Sequence, residues 1–107
     1  MTVVNRTGIN AIALETTLLI HGIPAEGALE FNAELTEIAR CAGATPALIG
    51  VLNGQPIVGL TDSELQDMLS RDHVTKVNTA NMGVVLHRGE CGATTVGTTM
   101  ELAAAAR

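Results

Sequence analysis

The sequence predicts an α/β fold, in which a small mixed β-sheet is flanked by helices. An amphipathic helical pattern runs from about Ala25 to Ala42. A continuous apolar run at residues 47–52 follows it and is too short for a helix. A hairpin turn and a helix-capping motif come soon after that run. No linker, repeat or low-complexity segment divides the chain, so residues 1–107 are predicted to form a single domain.

The first predicted strand is Ile12–Leu14, which we expect to be buried with Glu15 at its carboxyl end. His21–Pro24 predicts a turn, because a proline suits the entry to a helix. The helix that follows has small and apolar residues three or four positions apart, at Ala28, Phe31, Leu35, Ile38, Ala39 and Ala42. Its other face is predicted to be solvated and carries Glu26, Glu30, Glu34 and Glu37. Gly43 predicts the end of this helix.

A hairpin is predicted next, since Asn53–Gly54 separates the apolar run Ala47–Leu52 from a returning strand at Ile57–Leu60. Thr61 and Glu64 have the spacing of a capping box. The helix that they open is expected to bury Leu65, Met68 and Leu69. The remaining predicted elements are a strand at Val74–Val77, an apolar segment at Val84–Leu86, a small-residue loop at Gly89–Thr95 and a helix from about Thr95 or Val96 to Ala106.

Charge and composition exclude several classes of function. The net charge is −5 and the six basic residues are scattered, which argues against binding to nucleic-acid phosphates. The apolar runs are far shorter than the roughly 20 residues that span a membrane. Cys41 and Cys91 are far apart and favour reduced thiols over a disulfide. With no signal-peptide pattern at the start, these features predict a cytoplasmic protein without nucleic-acid or membrane partners.

Three places in the chain could carry chemistry. Glu15 follows a predicted strand, where α/β folds place reactive groups, although a glutamate that faces solvent or caps a turn is the common alternative. Gly92–Val96 opens a predicted helix whose free N–H groups suit a phosphate, with an ordinary threonine N-cap as the alternative. Lys76, the only lysine, would pair with a phosphate if it pointed toward that segment, and would otherwise face solvent.

Metal and triad chemistry are not predicted from this chain alone. The histidines His21, His73 and His87 show no ligand spacing, and no Cys-x-x-Cys pattern is present. No serine occurs in the motif of a nucleophile elbow.

Several short motifs lie in order along almost the whole chain. They are Ala13–Thr17 followed by His21–Pro24, Gly43–Ala47, Gly59–Thr61, Val74–Val77 and Gly92–Val96, with Thr99–Met100 downstream. In this order and spacing they resemble the pseudouridine-5′-phosphate glycosidase family, which is also called indigoidine synthase A-like. The resemblance implies a partial version of that family's three-layer α/β/α fold.

The resemblance also implies an activity and a set of roles. Members of the family reversibly cleave pseudouridine 5′-phosphate to uracil and ribose 5-phosphate, using a nucleophilic lysine, a glutamate as proton donor and a divalent manganese ion, usually as homotrimers. Glu15 matches the proton donor, Lys76 a residue that contacts the sugar-phosphate end, and Val96 a residue that lines the substrate pocket. Thr94 and Thr95 are added as substrate-binding candidates from the helix-terminus argument.

Departures from the family pattern limit what this chain is expected to do. The usual S-R-R-D-L after the lysine strand is Asn78–Met82 here, so two arginines and an aspartate are missing. The resemblance covers about the first third of the family's length, and the nucleophilic lysine and metal-binding segment are expected beyond Arg107. We therefore expect little activity from the isolated chain, and either a complementing chain or a homo-oligomer as its partner. A non-catalytic sugar-phosphate-binding or assembly module and an unrelated small α/β domain are the alternatives.

Overall fold

Six strands form one mixed sheet in the computed structural model, which describes residues 1–106. The strands are β1 (Val4–Asn5), β2 (Ala11–Leu14), β3 (Thr45–Leu52), β4 (Gln55–Val58), β5 (Thr75–Val77) and β6 (Gly92–Thr94). The helices are α1 (Ala25–Cys41), α2 (Asp62–Ser70), α3 (Met82–His87) and α4 (Val96–Ala105). A single π-helical turn, Leu18–Gly22, follows β2. The α/β architecture with a small mixed sheet is confirmed.

The eight-residue strand β3 organises the sheet, because it pairs with three other strands. Antiparallel β4 occupies one edge of β3. The other edge is shared between β2, which is parallel to its first half, and β6, which is antiparallel to its second half. Parallel β5 extends the sheet beyond β6, and parallel β1 extends it beyond β4. Since β2 and β6 run toward each other along one edge of β3, their carboxyl ends meet.

Helices cover both faces of this sheet, as the alternating side chains of β3 require. Leu48 packs in a core formed with the π-helical turn, α1 and α2. Its neighbour Ile49 packs in a second core on the opposite face, formed with α3 and α4. The fold therefore has the three layers helix, sheet and helix.

Three local motifs predicted in the first 70 residues are confirmed. The C-cap of α1 is followed by Gly43 at φ +84°, a conformation that favours glycine. Asn53 and Gly54 both have positive φ, at 50° and 79°, and form the hairpin turn between β3 and β4. Thr61 and Glu64 form the reciprocal hydrogen bonds of a capping box at the start of α2.

Three expectations about individual elements are wrong. The loop predicted at Gly89–Thr95 contains strand β6, whose residues are all buried. Its small side chains fit there because the strand packs tightly: a Cβ at Gly92 would lie 2.2 Å from Val77 Cγ2. The strand predicted as buried, β2, has Ala11, Ile12 and Ala13 exposed, because it pairs on one side only.

The third error concerns the buried face of α1. Ile38, which was expected to be buried, is 67% exposed. Asn32, which was not assigned to the buried face, has a relative exposure of only 6%. The predicted acidic face of α1 is exposed as expected. The short strand β1 was not predicted, and the apolar segment Val84–Leu86 lies in the helix α3.

The two cysteines are free, with Cys41 exposed and Cys91 buried. No helix among residues 1–106 combines the length and the apolar character needed to cross a membrane.

Candidate functional site

The carboxyl ends of β2 and β6 are joined by a buried network of threonine hydroxyls. The backbone N–H of Thr94 donates to Thr16 Oγ1 over 2.7 Å. Both hydroxyls, Thr16 Oγ1 and Thr94 Oγ1, donate to the carbonyl oxygen of Ile49 in β3, at 2.9 and 2.8 Å. Thr17 Oγ1 donates to the Thr94 carbonyl at 2.8 Å, and Thr94 Oγ1 lies 2.8 Å from Thr99 Oγ1 of α4. The network holds the residue that precedes Thr16 at the point where the two strands meet.

That residue is Glu15, which lies in a cleft of about 340 Å³. The lining is otherwise apolar except for one threonine, and comprises Ala13, Leu14, Glu15, Leu18, Leu35, Val96, Thr99 and Met100. Glu15 is partly exposed, and it takes part in no ion pair within residues 1–106. A carboxyl group in an apolar, solvent-accessible cleft is suited to exchange a proton with a bound molecule.

Val96, 81 positions from Glu15 in the sequence, lines the same cleft. It is the first residue of α4 and is 59% exposed. Thr95 is the N-cap of this helix, and its hydroxyl accepts a hydrogen bond from the Thr98 backbone N–H at 3.4 Å. The first turns of α4 therefore form one wall of the cleft that contains Glu15, through Val96, Thr99 and Met100.

The structure separates Thr94 and Lys76 from the cleft. Thr94 has no exposed surface, and its hydroxyl is engaged by the threonine network. Lys76 is exposed on β5, opposite Ala93 in register, and does not line the Glu15 cleft. Because β5 and β6 are parallel, the carboxyl end of the lysine strand still lies at the same sheet edge as Thr94.

The segment after Lys76 forms a closed turn that sequence reasoning missed. Asn78 Oδ1 accepts hydrogen bonds from the N–H groups of Ala80 and Asn81, both at 2.9 Å. In return, Asn81 Oδ1 accepts from the Asn78 N–H at 2.8 Å, and Asn81 Nδ2 donates to the Lys76 carbonyl at 3.1 Å. The two asparagines at this spacing were the available signal, since asparagine side chains commonly bond nearby backbone groups.

An ion pair lies away from the cleft, at the start of α2. The two terminal guanidinium nitrogens of Arg6 donate to the Glu64 carboxylate, one of them over 3.0 Å. The hydrogen bond from Arg6, together with those from Thr61, lowers the pKa of Glu64 from 4.5 to about 2. The same pairing raises the pKa of Arg6 above its ordinary value.

Manganese has no matching donor set among residues 1–106. No three side chains of the His, Cys, Asp and Glu types come together there. The residues around Glu15 are apolar or hydroxyl-bearing, whereas Mn²⁺ prefers carboxylate, carbonyl and water ligands.

A second cleft, of about 480 Å³, lies between α1, β3 and the start of α2. Its lining includes Asn32, Arg40 and Asp62. None of the candidate site residues lines it. Asn32 Oδ1 is buried there without a hydrogen-bond partner among the described residues. This larger cleft therefore lies beside the cleft of Glu15 and Val96, and Leu14 lines both.

Comparison with known proteins connects this geometry to a family. The family model described as "Indigoidine synthase A like protein" matches residues 3–107. The pseudouridine-5′-phosphate glycosidase of Nocardioides sp. is 43% identical over 101 residues, which are 94% of this chain and 33% of that protein. A crystal structure of an indigoidine synthase A-like protein from Thermotoga maritima has a TM-score of 0.87 at 33% identity, over 94% of this chain and 35% of that one.

A second similar solved structure is a complex with a sugar phosphate. It is the prealnumycin C-glycosynthase AlnA in complex with ribulose 5-phosphate, with a TM-score of 0.73 at 38% identity. The match covers 91% of this chain and 31% of the AlnA chain. The chain thus spans about a third of the length of these relatives. Because the family model covers nearly every residue and the solved structures share its fold, the chain belongs to the indigoidine synthase A-like family.

Proposed function

We propose that this chain supplies the proton-donor part of a pseudouridine-5′-phosphate glycosidase, in which uracil and ribose 5-phosphate are formed or joined through a C–C glycosidic bond. The observation that carries the proposal is the meeting of Glu15 and Val96, which are distant in sequence, in one cleft. Glu15 acts as the proton donor, and Val96 forms part of the wall of the substrate pocket. The names of the relatives and the sugar phosphate bound by one of them support this substrate class.

Lys76 and Thr95 are proposed to serve the anionic end of the substrate. Lys76 is exposed and takes part in no ion pair within the described residues, so its ammonium group is available to a phosphate. Thr95 is adjacent to the free N–H groups at the start of α4, where an anion is favoured. For Thr94 we propose a supporting role, because its hydroxyl is engaged within the core.

Complete catalysis is proposed to need more than this chain. The resemblance matches Lys76 to substrate binding and leaves the nucleophilic amine without a candidate in the sequence. Manganese is proposed to be held by other parts of a complete family member, since the described residues lack its donor set. We also propose a cytoplasmic location and a homo-oligomeric assembly, such as a trimer.

Turnover tests the proposal directly. The chain is incubated with uracil and ribose 5-phosphate, alone and with a chain that carries the unmatched two thirds of the Nocardioides relative. We expect pseudouridine 5′-phosphate from the mixture only. Glu15→Gln should lower that rate at least about 100-fold, because general acid catalysis contributes this much. Glu34→Gln, on the solvated face of α1, is the matched control. A fully active Glu15→Gln mixture would remove Glu15 from the mechanism.

A non-catalytic sugar-phosphate-binding module is the second candidate. The closed Asn78–Asn81 turn favours it, because the arginines of the family pattern are replaced there by neutral side chains. Calorimetry with ribose 5-phosphate separates the two. Binding that survives Glu15→Ala and is lost in Lys76→Ala, with no turnover in the mixture, supports the module. Absence of binding by the wild-type chain contradicts it.

A further inference from the structure

The outer edge of β2 is a row of unpaired backbone groups. β2 pairs with β3 alone. The register places Ala11 opposite Thr45, and the Thr45 N–H donates to the Asn10 carbonyl at 2.9 Å. In a parallel ladder this makes Asn10, Ile12 and Leu14 the residues whose backbone groups face β3. The N–H and C=O groups of Ala11 and Ala13 therefore point away from the sheet.

This edge forms the floor of a slot between the two helical layers. Leu35 projects from α1 on one side of the sheet and Met100 from α4 on the other, and both line the cleft that contains Ala13 and Glu15. The slot thus has apolar walls from opposite layers and a hydrogen-bonding strand edge as its floor. Such a slot has the shape and chemistry that one more β-strand requires.

The surface around the slot is apolar and exposed. Ile12 is 44% exposed, Leu18 39%, Val96 59% and Met100 67%. Apolar side chains beside a bare strand edge mark an interaction surface, because the apolar surface favours burial and the edge offers unpaired groups to another strand.

The length of the relatives indicates the occupant. This chain corresponds to 33% of the Nocardioides relative and 35% of the Thermotoga structure, while the matching regions agree in fold. About two thirds of each relative's length therefore has no counterpart in this chain. A strand from that remainder would bury the slot and lie directly beside Glu15.

We propose that β2 is an acceptor edge, which pairs with a β-strand from a polypeptide that carries the unmatched two thirds of the family fold. The incoming strand bonds the outward groups of Ala11 and Ala13, and its side chains pack between Leu35 and Met100. It closes the cleft around Glu15 from the side that is now open. The proposal rests on the proposed function in one respect, namely that the chain works together with the rest of the family fold.

Coexpression tests this pairing without any assay of activity. The tagged chain is coexpressed with the unmatched two thirds of the Nocardioides relative, and the amount that copurifies is measured. We expect an equimolar complex in which the Ala11 and Ala13 amides become protected from hydrogen exchange. Failure to copurify, or a complex in which these amides exchange as in the free chain, overturns the proposal. Turnover does not enter this readout, so its absence would count against the proposed function alone.

Two variants locate the contact. Ala13→Pro removes an outward N–H and leaves the bonds between β2 and β3 in place, a position where edge strands accept proline. Met100→Glu puts a charge on the wall of the slot and should weaken copurification at least about tenfold, because burying an unpaired charge is costly. Ile38→Glu is the matched control, since Ile38 is equally exposed at 67% and lies outside the slot.

The comparison of Met100→Glu with Ile38→Glu decides whether the slot is the site of strand pairing. A Met100→Glu chain that copurifies as well as Ile38→Glu overturns the proposal, even if Ala13→Pro fails to fold. The free chain is also examined by light scattering. A homodimer with protected Ala11 and Ala13 amides, abolished by Met100→Glu, would show that a second copy of this chain occupies the slot and that the proposal is wrong.

Discussion

Thr16 and Thr94, 78 positions apart, join two strands that approach each other end to end. The Thr94 N–H donates to Thr16 Oγ1 at 2.7 Å, and both hydroxyls share the Ile49 carbonyl. Neither side chain has exposed surface. A buried polar group is costly unless its hydrogen bonds are made, so this junction holds together only in one arrangement. That arrangement also sets the position of Glu15, the residue directly before Thr16 in the chain, in the lining of the cleft.

Thr16→Val should destabilise the chain by about 1–3 kcal/mol, because it leaves the buried Thr94 N–H without its acceptor. Thr16→Ser keeps the hydroxyl and serves as the control, with a smaller loss. Urea denaturation followed by circular dichroism measures both. Equal stability of the valine and serine variants would contradict a role for the hydroxyl.

Gly92→Ala should also be destabilising, by about 1–3 kcal/mol, because a small-to-large change in a packed region forces its neighbours apart. The new Cβ would lie 2.2 Å from Val77 Cγ2. Gly83→Ala is the control, since nothing lies within 4 Å of its Cβ position and the residue is helical. Thermal unfolding should show a lower Tm for the first variant and an unchanged or higher Tm for the second. If the clash is the cause, the loss in the double variant with Val77→Ala should be smaller than the sum of the two single losses.

Acid should remove the stabilisation that comes from Glu64. Its pKa is lowered in the folded chain from 4.5 to about 2, so this contribution is complete above the unfolded-state value. It is lost as the pH falls through the range between the two values. We expect about 1 kcal/mol at neutral pH, because solvent screens a partly exposed ion pair. Glu64→Gln should abolish this part of the pH dependence of unfolding, whereas Glu34→Gln should leave it unchanged. Parallel pH profiles of Glu64→Gln and the wild type would contradict the assignment.

Asn32→Leu should stabilise the chain by about 1 kcal/mol, because it replaces an amide whose buried oxygen lacks a partner with an apolar group of similar size. Asn32 has a relative exposure of 6%, and its Oδ1 has no hydrogen-bond partner among the described residues. Asn32→Asp should have the opposite effect, since it would place a charge at the same site. Denaturant midpoints of the two variants check the sign, and a destabilised leucine variant would indicate that the amide has a partner in solution.

The residues of the candidate site were only partly predictable. Glu15 and Val96 were identified through motifs, and the structure brings both into one cleft. The sequence indicates Thr94 as a substrate-binding candidate in a loop, but Thr94 is a core residue of β6. Its backbone N–H donates to Thr16 Oγ1, and no local pattern connects two threonines at that separation.

The sequence by itself determined the elements whose signals are local. The Gly43 end of α1, the Asn53–Gly54 turn and the Thr61–Glu64 capping box depend on the φ preferences of single residues or on hydrogen bonds three positions apart. Only the tertiary structure decided that Gly92–Thr94 is a strand and that β2 is exposed. The reason is that a strand forms by hydrogen bonding and packing with partners that lie far away in the chain. Gly92 pairs with Val51, and Ala13 pairs with Ala47 on one side alone.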